Sequence, residues 1–243
     1  MDIYEKLREE FKRIMEEEGL EKEEVLVHIG QLTPEESIGV TKRQDFPLLN
    51  GKEQMVQAEF RGEQGQAFTS SRAGFSGTLQ EISNLDLTDD YNKAVFISTL
   101  NAVMKSLKMI DRTVHCRNEE PEECAMELAD FVKNQYTNQN IGFVGYQPAM
   151  IENLGKQDLP LRVLDLNPEH IGHKRYGVLI EDGIKDFDAV VQWADILLVT
   201  GSTLCNGSIV NFLSLDIPVI FYGNTIAGAA HLLDLPRLCF KAH

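Results

Sequence analysis

The chain has 243 residues, 43% of them hydrophobic, and a formal net charge of −15. This length suffices to bury a core in one large domain or two ordinary ones, and the acidic excess disfavours nucleic acid and anionic membranes as partners, because both would repel it. No run of 18 apolar residues occurs and the first twenty residues are too charged for a signal peptide, so we expect a cytoplasmic protein that binds a small-molecule ligand, with homo-oligomer formation left open.

The first half of the sequence predicts a small α+β unit. Apolar residues recur with helical spacing over residues 2–18, and Gly19 is placed to end that helix. Short alternating segments at 24–32, 37–43, 54–62 and 65–71 predict an antiparallel sheet, and residues 91–109 predict a second long helix. The charged segment 117–123 marks a predicted boundary between domains 1–116 and 117–243.

The second half alternates apolar strands with helical stretches. Strands are predicted near 140–146, 161–166, 176–180, 195–200, 217–223 and 237–240, with helices between them, including one that begins at Leu204. Near-continuous apolar strands in this order indicate a mostly parallel sheet covered on both faces, an α/β fold.

Ligands bind such sheets where strands end at the carboxyl edge, next to the reversal of strand order. The first predicted strand ends at Gly145, but no GxGxxG motif surrounds it, which disfavours NAD. Asp165 follows twenty residues later, where a carboxylate can accept hydrogen bonds from the two hydroxyls of a ribose. The alternative role for Asp165 is an ordinary loop cap.

The predicted strand at 195–200 is followed directly by a segment rich in hydroxyl side chains and glycine. Ser202 or Thr203 is predicted to cap the helix from Leu204, and the free N–H groups of that helix start would suit an anion. The alternative is a plain capped helix. The candidate ligand-binding residues here are Thr200, Gly201, Ser202, Thr203 and Asn206, with Asn224 beside them if the next strand is adjacent.

The densest polar stretch of the first half is the segment 68–78. The guanidinium of Arg72 is always charged and suits a carboxylate or a phosphate. The alternative interpretation of this segment is a surface loop without a binding role. Its candidate ligand-binding residues are Ser70, Ser71, Arg72 and Ser76.

Metal ligation is not predicted. The pair His170 and His173, and the pair His115 and Cys116 with Cys124 at a distance, lack the spacing of a four-ligand site. The cysteines are expected to be free thiols. The cofactor and the catalytic residues stay unknown.

The segments 141–154, 161–169 and 194–213, with the TGST-x-x-NG motif from Thr200 to Gly207, resemble the putative heavy-metal chelation family. The resemblance implies an enolase N-terminal-like α+β domain followed by a Rossmann-like, mostly parallel, doubly wound sheet. It also implies a cleft between the domains, in which Gly145 and Asp165 hold a nucleoside-like or pterin-like group and the turn from Thr200 to Asn206 holds an anionic part. The loop from Ser70 to Ser76 would close the cleft.

Several functions fit this resemblance. The leading hypothesis is an enzyme that acts in the interdomain cleft on a small pterin-, flavin- or siderophore-like metabolite by condensation or hydrolysis. The first alternative is a non-catalytic binding protein for a metal chelate or a metal ion, and a ligand-binding regulatory module is a variant of it. The second alternative is a methyltransferase-like enzyme with a nucleoside cofactor. The sequence leaves open whether the protein is an enzyme.

Overall fold

A computed structural model describes residues 2–28, 32–50, 54–70 and 74–243. Two sheets organise the chain, a small antiparallel one in the first half and a larger, mostly parallel one in the second. This confirms the predicted α/β fold class. Within the described ranges, no helix has both the length and the apolar character needed to cross a membrane.

The first sheet is antiparallel, with strand order β3-β2-β1-β4. The elements of the first half are, in chain order, α1 (Ile3–Glu18), β1 (Glu24–Val27), α2 (Pro34–Ile38), a 3-10 turn (Pro47–Asn50), β2 (Gln54–Phe60), β3 (Glu63–Thr69), β4 (Phe75–Thr78), α3 (Leu79–Ser83) and α4 (Asp90–Ser106).

The prediction of a strand at 37–43 is wrong, because helix α2 occupies the first residues of that segment. Helix α2 begins at Pro34 and is fixed by a capping box, in which the Thr33 hydroxyl accepts the Glu36 N–H while the Glu36 carboxylate accepts the Thr33 N–H. The local sequence Thr-Pro-Glu-Glu therefore outweighs the apolar alternation that follows it.

The second sheet has the strand order β11-β10-β9-β5-β6-β8-β7, parallel throughout except for the β7–β8 pair. The chain moves outward from β5 on one side and returns to start β9 on the other, so strand order reverses between β5 and β9, as in doubly wound sheets. The elements of the second half are α5 (Glu120–Gln135), β5 (Ile141–Val144), α6 (Pro148–Gly155), β6 (Leu161–Asp165), β7 (Lys174–Arg175), β8 (Val178–Asp182), α7 (Phe187–Trp193), β9 (Ile196–Thr200), β10 (Val219–Tyr222), α8 (Ala227–Leu232) and β11 (Arg237–Leu238).

The helix predicted from Leu204 is also wrong. Two 3-10 turns, Gly201–Leu204 and Ser208–Asn211, take its place. Gly207 separates them with φ of 81°, a left-handed conformation that an α-helix does not accommodate. The cap of the first turn is Thr200, whose hydroxyl lies 3.4 Å from the Ser202 nitrogen, rather than Ser202 or Thr203.

Helix α4 joins the two sheets. Residues 93–104 of this helix are all buried, and they pack both on the first sheet and on α8 of the second half. β3 lies so close to α4 that a side chain at Gly65 would meet the α4 backbone at 2.3 Å. The buried Asn101 amide donates to the Gln66 and Thr225 carbonyls and accepts the Gly228 N–H. The apolar core therefore crosses residue 116, and the domain boundary there stays a prediction.

Candidate ligand-binding site

A cleft lies at the carboxyl edge of the second sheet, beside the reversal of strand order. It encloses a cavity of about 100 Å³, and Phe46, Leu48 and Phe68 of the first half contribute apolar walls. The cleft therefore has lining residues from both sides of the predicted boundary. The predicted site residues that line it are Gly145, Thr200, Gly201, Ser202 and Asn224.

Gly145 forms the turn after β5, and no other residue type fits there without strain. Its φ is +99°, and a Cβ at this position would lie 2.6 Å from Cγ2 of Thr200. The neighbouring Tyr222 hydroxyl donates to the Val144 carbonyl at 3.0 Å. The glycine thus allows the ends of β5, β9 and β10 to converge on one point.

The turn after β9 presents two hydroxyls to the cleft. The Oγ atoms of Thr200 and Ser202 lie 3.0 Å apart and share a hydrogen bond. Gly201 between them is tightly packed, because a Cβ there would lie 3.0 Å from the side chain of Ile226. Its φ is not among the positive values of the described glycines, so positive-φ strain does not explain this glycine.

Asn224 carries a buried hydrogen-bond acceptor that none of the described residues satisfies. Its side chain is 1% exposed, and its Nδ2 donates to the Thr113 carbonyl at 3.2 Å. Its Oδ1 has no hydrogen-bond partner in the described part of the chain. Next to it, the Thr225 hydroxyl accepts the Phe68 N–H at 3.0 Å and ties β3 to the turn after β10.

Asp165 lies at the end of β6 but does not line the cleft. One carboxylate oxygen accepts the Tyr146 N–H at 2.8 Å, and the other accepts the Asn167 N–H at 2.8 Å and contacts His170 Nδ1 at 3.0 Å. The carboxylate therefore holds the Gly145–Tyr146 turn and its own loop in place. This arrangement corresponds to the loop-cap alternative, and a ribose contact at Asp165 stays a prediction.

Of the remaining predicted residues, the four that the structure describes do not line the cleft either. Thr203 is buried, with its hydroxyl donating to the Thr200 carbonyl at 2.7 Å, and Asn206 is exposed and accepts from Ser208. Ser70 is exposed, and Ser76 lies on β4, at the sheet edge remote from β3. Ser71 and Arg72 lie outside the described residues.

Four cleft residues with imidazole or thiol side chains were not among the predicted site residues. They are one imidazole and three thiols, His115, Cys116, Cys124 and Cys239. The pairing of His115 with Cys116, and Cys124 as a distant addition, was visible in the sequence, whereas Cys239 follows β11 and no local pattern links it to the others. The described residues contain no group of three or more His, Cys, Asp or Glu side chains arranged to hold a metal ion.

The protonation state of His115 follows from its contacts. Its Nδ1 lies 2.6 Å from the Cys116 carbonyl oxygen, which can only accept, so Nδ1 carries the proton and Nε2 keeps a free lone pair. Burial lowers the pKa of His115 to about 4, although its hydrogen bond to Cys116 acts in the other direction. The imidazole is therefore neutral at pH 7.

The fold and the cleft define an α/β protein with a cleft at the carboxyl edge of a doubly wound sheet. Residues 127–226 match the family model described as "Putative heavy-metal chelation" (DUF364), which confirms the predicted resemblance. The family description names no reaction and no substrate.

Two crystal structures of DUF364 proteins of unknown function share the fold. The one from Pyrococcus horikoshii is 14% identical with a TM-score of 0.56 and covers 92% of this chain and 79% of its own. The one from Desulfitobacterium hafniense DCB-2 is 11% identical with a TM-score of 0.56, and the match covers 96% of this chain and 81% of that one. At these identities the likeness concerns the fold alone. Comparison with curated proteins gives no match.

Proposed function

We propose that the protein binds a small, largely apolar metabolite in the cleft and that this ligand donates a hydrogen bond to Asn224. The supporting observation is the unpartnered Oδ1 of Asn224, because an unsatisfied buried acceptor costs about 1–3 kcal/mol. A ligand N–H or O–H at this oxygen removes that cost. Heteroaromatic metabolites and metal-chelating metabolites, of pterin, flavin or siderophore type, combine flat apolar surface with such donors.

The shape and lining of the cleft support a ligand of this kind. Three aromatic rings, Phe46, Phe68 and Tyr146, are among the lining residues and offer surfaces for a flat ring system. The hydroxyls of Thr200 and Ser202 offer polar contacts beside them. A binding cleft between units 1–116 and 117–243 is part of the proposal, since the lining residues come from both.

An enzyme that condenses or hydrolyses such a metabolite is the second candidate. His115 alone does not favour it, because an imidazole whose pKa is about 4 is a weak general base at pH 7. Cys124 favours it, because the hydrogen bond from Cys116 lowers the pKa of Cys124 and so makes this thiol a more readily ionised nucleophile. A nucleoside-cofactor enzyme has less support, since both oxygens of Asp165 already accept hydrogen bonds.

The proposal is tested by ligand binding to wild type and to two variants. Pterin, riboflavin and 2,3-dihydroxybenzoate are the probes, and binding is measured by thermal shift and then by isothermal titration calorimetry. We expect at least one probe to bind wild type and Asn224→Leu to weaken it by about tenfold, the value of one buried hydrogen bond. Asn206→Ala is the control, because Asn206 is exposed and does not line the cleft.

Two results would contradict the proposal. If none of the three probes binds, the ligand class is wrong. If a probe binds wild type and Asn224→Leu with equal affinity, the unpartnered oxygen has no part in recognition.

A further inference from the structure

Two neighbouring arginines, Arg112 and Arg237, adjoin the cleft. Arg237 lies on β11, and its guanidinium donates to the Gly223 carbonyl at 2.9 Å and to the Arg112 carbonyl at 2.6 Å. Arg112 in turn donates from Nη1 to the Cys239 carbonyl at 2.7 Å. Gly223 and Cys239 both line the cleft, so each guanidinium group is hydrogen-bonded to a residue of its wall.

The pairing of two distant segments holds these arginines together. Val114 exchanges two backbone hydrogen bonds with His243, at 2.8 and 2.9 Å. Residues 112–114 therefore run beside the segment after β11, and each arginine side chain reaches a carbonyl of the other segment. The backbone thus fixes the place of both cationic groups.

The positive charge of Arg237 is not balanced by a nearby carboxylate. Its side chain forms no ion pair within the described part of the chain, and the groups that it contacts are the two carbonyls and the Cys239 thiol. Burial lowers the pKa of Arg237, and the positive charge of Arg112 acts in the same direction. Because a half-buried cation without a counter-charge costs free energy, an anion at this position would stabilise it.

Arg112 has a weak carboxylate contact. Its Nε lies 4.0 Å from the carboxylate of Asp111, and the two side chains are 47% and 82% exposed. An exposed pair at this distance contributes little to stability. A guanidinium carries five N–H donors, so donors remain available on both arginines.

We propose that Arg112 and Arg237 together bind a phosphate group, either as inorganic phosphate or as the terminal group of a phosphate monoester. Two guanidinium groups match the two charges of the dianion, and their planar N–H forks fit phosphate oxygens. Arg112 is exposed and gives access from solvent, while the less exposed Arg237 supplies the inner contact. The inference goes beyond the proposed function, because it uses none of the groups assigned to the metabolite.

The test is isothermal titration calorimetry of the full-length protein with inorganic phosphate at constant ionic strength. Acetate should bind about tenfold more weakly or less, because a carboxylate carries one charge rather than two. Arg112→Asn should weaken phosphate binding by about tenfold or more, the value of a hydrogen bond to a charged group. Arg237→Gln should weaken it as well.

Arg61→Asn is the matched control. Arg61 has φ of 51° and a side chain that is 48% exposed, against 58° and 47% for Arg112, but its guanidinium is bonded to Glu23. Asparagine tolerates this left-handed conformation, so both variants should fold, and Arg61→Asn should bind phosphate as wild type does. Asp111→Asn removes the competing carboxylate and should tighten phosphate binding by about two- to fivefold.

A second measurement uses wild type alone. Phenylglyoxal modifies exposed guanidinium groups, and phosphate should slow the modification of Arg112 but not of Arg61, as read by peptide mass spectrometry. Glycerol 3-phosphate distinguishes the two sources of phosphate, because protection by it as well as by phosphate supports a phosphorylated metabolite, and protection by phosphate alone supports the free ion.

Four results would overturn the proposal. They are no binding of phosphate to wild type, equal affinities of wild type and Arg112→Asn, equal affinities for acetate and phosphate, and a loss of affinity in Arg61→Asn as large as that in Arg112→Asn. The last two results would show a general attraction of anions to exposed arginines.

Discussion

The partly buried, neutral imidazole of His115 should make the stability of the protein depend on pH between about 6.5 and 4. The ordinary pKa of 6.5 applies to the unfolded chain, and burial lowers the pKa of His115 to about 4 in the folded protein. Between these values the unfolded state binds a proton that the folded state does not bind. The stabilisation is therefore complete above pH 6.5 and is lost as the pH falls through 4.

The size of the effect follows from the two pKa values. They differ by about 2.5 pH units, and each unit is worth 1.36 kcal/mol, so His115 should destabilise the fold by about 3 kcal/mol over this range. His115→Asn removes the ionisable group, while its amide can still donate to the Cys116 carbonyl. The variant should therefore lose this part of the pH dependence and no other.

Urea unfolding at several pH values between 4 and 7 measures the difference. Trp193, the single tryptophan, provides the fluorescence signal. The free energy of unfolding of wild type minus that of His115→Asn should fall by about 3 kcal/mol from pH 7 to pH 4. His231→Asn, which removes an exposed imidazole, is the control and should follow wild type. A wild-type minus His115→Asn difference that stays constant across the range would refute the argument.

Three further substitutions or labels test other parts of the structure. Gly145→Ala should destabilise the protein by about 2–4 kcal/mol in urea unfolding, because alanine disfavours the positive φ and its Cβ would meet Cγ2 of Thr200. Thr200→Ser removes that methyl group, so it should recover part of the loss in the Gly145→Ala background and stabilise nothing in the wild-type background. Asn101→Ala should lower the free energy of unfolding by about 3–5 kcal/mol, through a lower urea midpoint at unchanged m value, because two buried carbonyls and one N–H lose their partner. A loss below about 1 kcal/mol would contradict the buried network. The iodoacetamide rate at Cys124 should rise at a lower pH than that of an ordinary thiol, because hydrogen bonding lowers the pKa of Cys124. Cys205, whose pKa burial raises, should stay unreactive below pH 9 or so, and equal rates at the two residues would contradict the contacts to Cys124.

Much of the fold could be predicted because its signals are local. The apolar strands of the second half and the stripe of α1 follow periodicities that each segment carries by itself. The predictions for 37–43 and for the segment from Leu204 were wrong, because short-range side-chain contacts and a glycine set the backbone conformation there. A capping box at Thr33 starts a helix, and Gly207 with the Asn206 side chain divides another into short turns.

The candidate site could be predicted only in part, for a similar reason. The rule that ligands bind at strand ends is enough to find Gly145, the Thr200–Ser202 turn and Asn224. It does not reveal the direction of a side chain, and the Asp165 carboxylate turns back to the Tyr146 N–H. Nor does it bring Cys116 and Cys239 together, since that depends on backbone pairing between Val114 and His243, which are far apart in the sequence.

The burial of helix α4 has a consequence for the way in which the chain folds during synthesis. Helix α4 leaves the ribosome before α8 exists, although α8 packs against it in the finished molecule. Until α8 is made, the apolar surface of α4 that it will cover remains open to water or to a chaperone. We therefore expect a nascent chain that ends near residue 116 to be protease-sensitive and chaperone-bound, and protection of its first half to arise only together with the second sheet.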